Sequence, residues 1–232
     1  MAEKIPLLLL PGLMNDVELW RHQVDTLGDI ADVIVGDMTK DDTTTGMAAR
    51  QLAAAPPTFA LAGLSMGGYT AFEIMRQAPN RVRKLALLDT SARADLPERT
   101  EIRKRLISLV EKGKYKDVVE ETLPTAIHPV FHKGPVAKSY RDQAERIGPE
   151  TFIRQQRAIM SRPDSRKDLA AIRCPTLVSC GRQDVATPVE LHQEIAAGIK
   201  GSVLVLIEEA GHLPPMERPH AVSAALRYWL MA

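Results

Sequence analysis

The chain has 232 residues, with 30 Lys and Arg against 29 Asp and Glu, and is 45% hydrophobic and 25% charged. That length supports one sizeable core with room for an inserted subdomain, and that composition excludes disordered and fibrous classes. A net charge of +1 without a dense basic block gives no electrostatic case for nucleic acid or a membrane surface, so the expected partner is a small molecule.

The first apolar run, IPLLLL at 5–10, reads as a buried strand. The stretch around it, MAEKIPLLLLPGL, is too short for a signal peptide, contains Pro6 and lacks a small-residue cleavage site. Five further runs follow: ADVIVG (31–36), TFALAG (58–63), KLALLD (84–89), PTLVSC (175–180) and SVLVLI (202–207). Runs that are apolar throughout, instead of alternating, imply strands covered on both faces, as in a parallel sheet. Segments with helical spacing lie between them: VELWRHQVDTLG, GMAARQLAAA, GGYTAFEIMRQA, PVELHQEIAAGI and, at the end, HAVSAALRYWL. Strand and helix alternate, so the expected class is α/β, a six-stranded and mostly parallel sheet flanked by helices.

One gap breaks the rhythm. Residues 92–169 hold no convincing strand but four amphipathic stretches, ERTEIRKRLISLVEKG, YKDVVEETL, VAKSYRDQAERIG and ETFIRQQRAIM. The expected organisation is a core of residues 1–91 and 170–232 with a helical lid over 92–169, placed where a parallel sheet binds its ligands. A helical bundle that only covers apolar surface is the plainer alternative. No segment reaches the apolar length of a membrane span. The two cysteines, Cys174 and Cys180, sit about 20 Å apart if they share one strand, beyond disulfide reach, and free thiols suit a reducing cytoplasm.

The candidate chemistry begins at GLSMGG, residues 63–68. A sharp strand-to-helix turn needs small residues two places either side of its centre, which Gly63 and Gly67 supply, and it projects Ser65 into the cleft. The backbone N–H that follows, of Met66, lies at a helix start where it can stabilise an oxyanion. Ser65 needs a general base. Of six histidines, His212 in EEAGHLPPMERP follows the last strand and emerges at the same sheet edge as Ser65. His22 and His192 fall within helices and read as surface or packing residues, and His220 begins the last helix. His128 and His132 lie in the insertion, where they either face substrate or solvent. The base needs an orienting carboxylate. Asp184, in CGRQDVATP after the fifth strand, is the favoured candidate, and Asp89, in LLDTSA, is the competitor with a capping role as its simpler reading.

Across nearly its whole length the sequence resembles cap-bearing serine hydrolases of the α/β-hydrolase superfamily. LLLLPGLMND, LAGLSMGGYTAFE, LLDTSA, CGRQDVATP and AGHLPPMERP occur in that family's order and spacing, as do Ser65, Asp184 and His212. The resemblance implies two-step acyl transfer on Ser65, with the backbone N–H of Leu13 as a second oxyanion donor beside that of Met66. Two departures stand out. Pro11 occupies a place where many relatives have His, and the N-terminal β-hairpin common in relatives is missing, which trims the sheet to six strands. The side chains of Met14, Met66 and Met160 are candidates for apolar pocket lining, with ordinary core filling the alternative.

A small-molecule carboxylic ester or lactone is the leading substrate reading. Alternatives are a carbon–carbon hydrolase of ring-cleavage dicarbonyl products, with the same triad and a similar lid, or a non-catalytic binder that keeps the fold. A serine in place of aspartate counts against haloalkane dehalogenases and epoxide hydrolases, so Tyr115 and Tyr140 are not read as epoxide-activating groups. No paired-His or Cys/His spacing points to a metal, no cofactor is implied, and oligomeric state leaves no readable mark. Residues 92–168 carry 17 Lys and Arg against 12 Asp and Glu, a bias that can steer an anion or simply solvate helix faces.

Overall fold

The structure is a computed structural model that describes residues 4–232. Its six strands are β1 (Ile5–Leu10), β2 (Ala31–Val35), β3 (Phe59–Leu64), β4 (Val82–Leu88), β5 (Thr176–Gly181) and β6 (Val203–Ile207). They form one sheet in the order β2-β1-β3-β4-β5-β6, and every pairing is parallel. The helices are α1 (Arg21–Leu27), α2 (Thr44–Ala54), α3 (Met66–Gln77), α4 (Pro97–Glu111), α5 (Tyr115–Ala126), α6 (Pro135–Met160), α7 (Val189–Gly198), α8 (Pro214–Glu217) and α9 (Pro219–Met231).

The apolar runs become strands because both faces are covered. In β1, Leu7 and Leu9 belong to a core shared with Trp20, Leu226 and Trp229, while Leu8 and Leu10 belong to another, shared with Met47, Phe72 and Ile195. Alternate side chains of a strand point to opposite faces, so one uninterrupted leucine run serves two cores, each buried side chain contributing about 2 kcal/mol. The edge strands β2 and β6 are less covered. Cys174 falls just before β5 and is half-buried, Cys180 is buried within it, and both thiols are free.

Helices α4, α5 and α6 stand between β4 and β5. The third and fourth amphipathic stretches form one helical run, α6, broken at Gly148, whose φ of 76° and ψ of 167° only glycine adopts readily. Pro149 then starts the second half, as proline does at a first helical position. Glutamines fasten α6 to the loop after β1: Gln155 Oε1 accepts from the Met14 N–H at 3.0 Å, and Gln143 Oε1 accepts from Asn15 Nδ2 at 3.3 Å and from the Asp16 N–H at 3.2 Å. No helix of the described residues is long and apolar enough to cross a membrane.

Candidate active site

Because all six strands are parallel, their carboxyl ends share one edge. The turns after β1, β3, β4, β5 and β6 converge there. Between β3 and α3 a single residue, Ser65, makes the turn at φ 54° and ψ −113°, a strained backbone for a residue with a side chain. The crossing is tight: a Cβ on Gly63 would lie 2.3 Å from the Gly67 carbonyl oxygen, and one on Gly67 would lie 2.2 Å from that of Leu10. Serine at a helix N-cap ordinarily accepts from the first turn. Ser65 makes no such bond, and its Oγ instead lies 2.8 Å from His212 Nε2.

His212 Nδ1 lies 2.7 Å from Asp184 Oδ2. A carboxylate only accepts, so Nδ1 carries the proton and Nε2 is left to accept from the Ser65 hydroxyl. Asp184 is buried and fully committed: its Oδ1 accepts from the Ala186 and Thr187 N–H groups at 2.8 and 3.0 Å, and its Oδ2 accepts from the Thr187 hydroxyl at 2.6 Å. Burial pushes the carboxyl up, but His212 beside it and the hydrogen bonds from His212 and Thr187 outweigh that and hold it below the usual carboxylate range. Such a line can pass a proton from Oγ to Nε2 while the carboxylate steadies the resulting imidazolium.

Two further acids brace the line. Glu217 in α8 accepts from three backbone N–H groups, those of Gly211 and Leu213 at 2.8 Å and of His128 at 2.9 Å, so it grips the turn on both sides of His212. Burial pushes its carboxyl up against the pull of those three donors. Asp89 is fully buried and accepts from the Gly181 N–H at 2.8 Å. Burial first, and the Asp184 charge second, push Asp89 well above the ordinary range. His192 is also buried, and its Nε2 accepts from the Thr90 N–H at 2.8 Å. Burial drives its pKa down to about 4, so it packs as a neutral ring.

A cavity of about 560 Å³ opens onto Ser65 and His212. Leu13, Met14 and Leu213 line it from the sheet edge, and Leu106, Tyr140 and Gln156 line it from the inserted helices. Leu13 lines this cavity with Ser65, and Met66 is the first residue of α3, where a backbone N–H has no acceptor within its own helix.

A family model for the alpha/beta hydrolases matches residues 7–225. The chain belongs to the alpha/beta hydrolase family. This hydrolase is similar to a thermophilic esterase from Thermogutta terrifontis, solved with malate bound, at 34% identity and a TM-score of 0.89 over 98% of this chain and 89% of that one. It is 27% identical, over 85% of its length and 80% of the other, to a pimeloyl-acyl-carrier-protein methyl ester esterase from Nitrosomonas europaea. The enol-lactonase of Burkholderia xenovorans LB400 superposes with a TM-score of 0.89 over 100% of this chain and 92% of that one, and at 23% identity this speaks for the fold alone.

The hydrolase brings Ser65, His212 and Asp184 together as the sequence suggests, and Asp89 stands beside Asp184 with no hydrogen bond to the imidazole. Of the side chains read as pocket candidates, Met14 lines the cavity. The others do not. Met66 turns into the core on the opposite face, among Met47, Phe72 and Leu87. His128 Nδ1 accepts from the Val130 N–H in its own short turn, and His132 Nε2 bonds the Ile127 carbonyl, so both rings are spent on local structure away from the cavity. Met160, at the last residue of α6, also lies off the cavity wall. Sequence reasoning misses Thr187, Glu217 and the cavity glutamine Gln156. Their signals are Thr187 three residues after Asp184, Glu217 five after His212, and a Gln-Gln pair on an otherwise amphipathic helix.

Proposed function

We propose that this hydrolase cleaves small-molecule carboxylic esters, lactones included, through an acyl-enzyme on Ser65. The observation that carries the reading is the continuous line from Ser65 Oγ to His212 Nε2 at 2.8 Å and from His212 Nδ1 to Asp184 Oδ2 at 2.7 Å. Ser65 Oγ attacks the ester carbonyl as His212 takes its proton, and Asp184 stabilises the imidazolium. The Leu13 and Met66 N–H groups hold the tetrahedral oxyanion, and each such donor typically lowers the barrier by about 3 kcal/mol. His212 returns the proton to the leaving alcohol, then activates water to release the acid and restore Ser65. Residues 92–169 act as the lid over this site, with residues 1–91 and 170–232 as the core. The free thiols of Cys174 and Cys180 suit a cytoplasmic setting.

The test is a pre-steady-state burst with p-nitrophenyl acetate and intact-mass detection of the acetyl adduct. A burst of nitrophenol and a single adduct are expected, both lost in Ser65→Ala, whose turnover should fall on the order of 10⁶-fold. A Ser65→Ala protein as active as the parent would overturn the reading.

A further inference from the structure

One face of the cavity holds more positive charge than it neutralises. Arg103 and Arg162 share a single carboxylate, Asp95: Arg103 Nε lies 3.2 Å from Asp95 Oδ2, and Arg162 Nη1 lies 2.7 Å from Oδ1. The Asp95 side chain is only 2% exposed and that of Arg162 9%. Arg162 also lies over the Tyr69 ring, 4.3 Å from its centre, and Tyr69 sits one helical turn beyond Ser65. All four residues line the cavity with Ser65 and His212. Guanidiniums stay charged even where burial disfavours it, so a sheltered excess of one positive charge remains. An uncompensated charge in such a place is costly, and an anion relieves it.

The donors are left open as well. Arg103 donates through Nε to Asp95 and through Nη1 to Gln156 Oε1 at 2.8 Å. Arg162 donates through Nε to the Arg93 carbonyl and through Nη1 to Asp95 and the Ile159 carbonyl. Neither Nη2 has an acceptor among the described residues. Gln156 is fully buried, lines the cavity, and its Nε2 has no partner. Its amide cannot be turned round, because a guanidinium only donates and must meet the amide oxygen. The other charged groups on the wall leave the balance unchanged. Arg93 is paired with Glu194, Glu121 with Arg105, and Arg99 and Glu190 sit exposed at the mouth.

We propose that Arg103, Arg162 and Gln156 form a carboxylate subsite, and that the preferred substrates are esters carrying a free carboxylate. This rests on the ester-hydrolase reading and narrows its substrate class. One surplus charge and planar forks of N–H donors match a monoanionic carboxylate.

The test compares isosteric pairs that differ only in charge: monomethyl glutarate against methyl 4-carbamoylbutanoate for the acyl side, and 4-acetoxybenzoate against 4-acetoxybenzamide for the alcohol side. In at least one pair kcat/KM should favour the carboxylate by about tenfold or more, since a site built for hydrogen bonding to an anion rejects the analogue that lacks it. Arg103→Gln and Arg162→Gln should each collapse that ratio toward one, and Arg103→Lys should keep part of it. Calorimetric binding of all four compounds to Ser65→Ala should rank the carboxylate above its amide in at least one pair, whether or not turnover is seen. No preference in either pair, with neutral esters still cleaved through Ser65, would overturn the subsite and leave ester hydrolysis standing. Loss of Ser65-dependent turnover with the binding preference intact would instead overturn the ester reading alone, and equal binding of acids and amides would overturn the subsite independently of catalysis.

Discussion

Asp89 and Asp184 stand together beneath His212: an oxygen of each and a nitrogen of the imidazole lie within 4.8 Å of one another. Asp184 is saturated with donors, while Asp89 Oδ2 is buried with no partner. Two buried carboxylates cannot both ionise at such range, and burial together with the Asp184 charge keeps the proton on Asp89. The pair therefore carries one negative charge, which Asp184 presents to His212. A group whose pKa is raised on folding stabilises the fold fully below its unfolded value, and that contribution is lost as pH rises through the folded value. Asp89→Asn mimics the protonated acid, and asparagine tolerates the positive φ of 44° at this position. The variant should keep kcat/KM within about threefold, since Asp89 makes no hydrogen bond to His212 and the asparagine carbonyl can still accept from the Gly181 N–H. Its melting temperature relative to the parent should rise as pH increases above about 4, until the raised folded value of Asp89 is passed. A flat difference would show that Asp89 does not hold the proton.

Glu217 carries the second expectation. Replacing it with Gln gives three backbone donors a neutral, partly mismatched acceptor where they had a carboxylate. Hydrogen bonds to a charged group contribute about 1.5–3 kcal/mol each, so Glu217→Gln should lower stability by about 2 kcal/mol or more in urea unfolding. Because two of those donors flank His212, kcat should fall with it while KM for a short ester changes little. Lost stability with unaltered kcat would make Glu217 a brace for the fold alone.

The turn at Ser65 leaves no room for a methyl group. Gly67→Ala would press a Cβ against the Leu10 carbonyl of the neighbouring strand, and backbone cannot yield as a flexible side chain can. The expected result is a loss exceeding about 3 kcal/mol or failure to accumulate folded protein. Gly68→Ala meets the Thr90 side chain first, its Oγ1 at 2.3 Å, Cβ at 2.6 Å and Cγ2 at 2.7 Å, so pairing it with Thr90→Gly, which removes all three atoms, should recover part of its loss. Equal tolerance of Ala at 67 and 68 would contradict the close crossing.

What was legible in the sequence follows from what is local. The strands were readable because burial on both faces removes polar residues from a run, and Ser65 because its glycines are required by contacts a few residues away. Asp184 and His212 were readable because each directly follows a strand, and parallel strands deliver their ends to one edge. The cavity wall was not. Whether His128, His132 or Met160 faces substrate depends on how α5 and α6 rotate and dock, which is set by long-range bonds such as Gln155 to Met14 and Gln143 to Asn15. Helical spacing shows that a face is buried but not what it is buried against. The surplus charge at Arg103 and Arg162 was equally hidden, since the pairing that leaves it joins residues 67 positions apart in one case and eight in the other.

Thr187 gives the last test, at the acid end of the line. Its hydroxyl donates to the Asp184 oxygen that also receives the His212 proton, at 2.6 Å, and helps hold Asp184 below the usual carboxylate range. A carboxyl lowered on folding stabilises the fold above its unfolded value, and that contribution is lost as pH falls through the folded value. Thr187→Val keeps the shape and removes the hydroxyl, so the folded Asp184 value moves back up toward 3.8. Acid unfolding, followed by circular dichroism between pH 5 and pH 2, should then begin at a higher pH than in the parent. Turnover at pH 8 should fall only several-fold, because the Thr187 N–H and His212 still hold the carboxylate in place. An acid midpoint unchanged by the substitution would mean that Thr187 orients Asp184 without tuning it, and the burden would pass to the backbone donors alone.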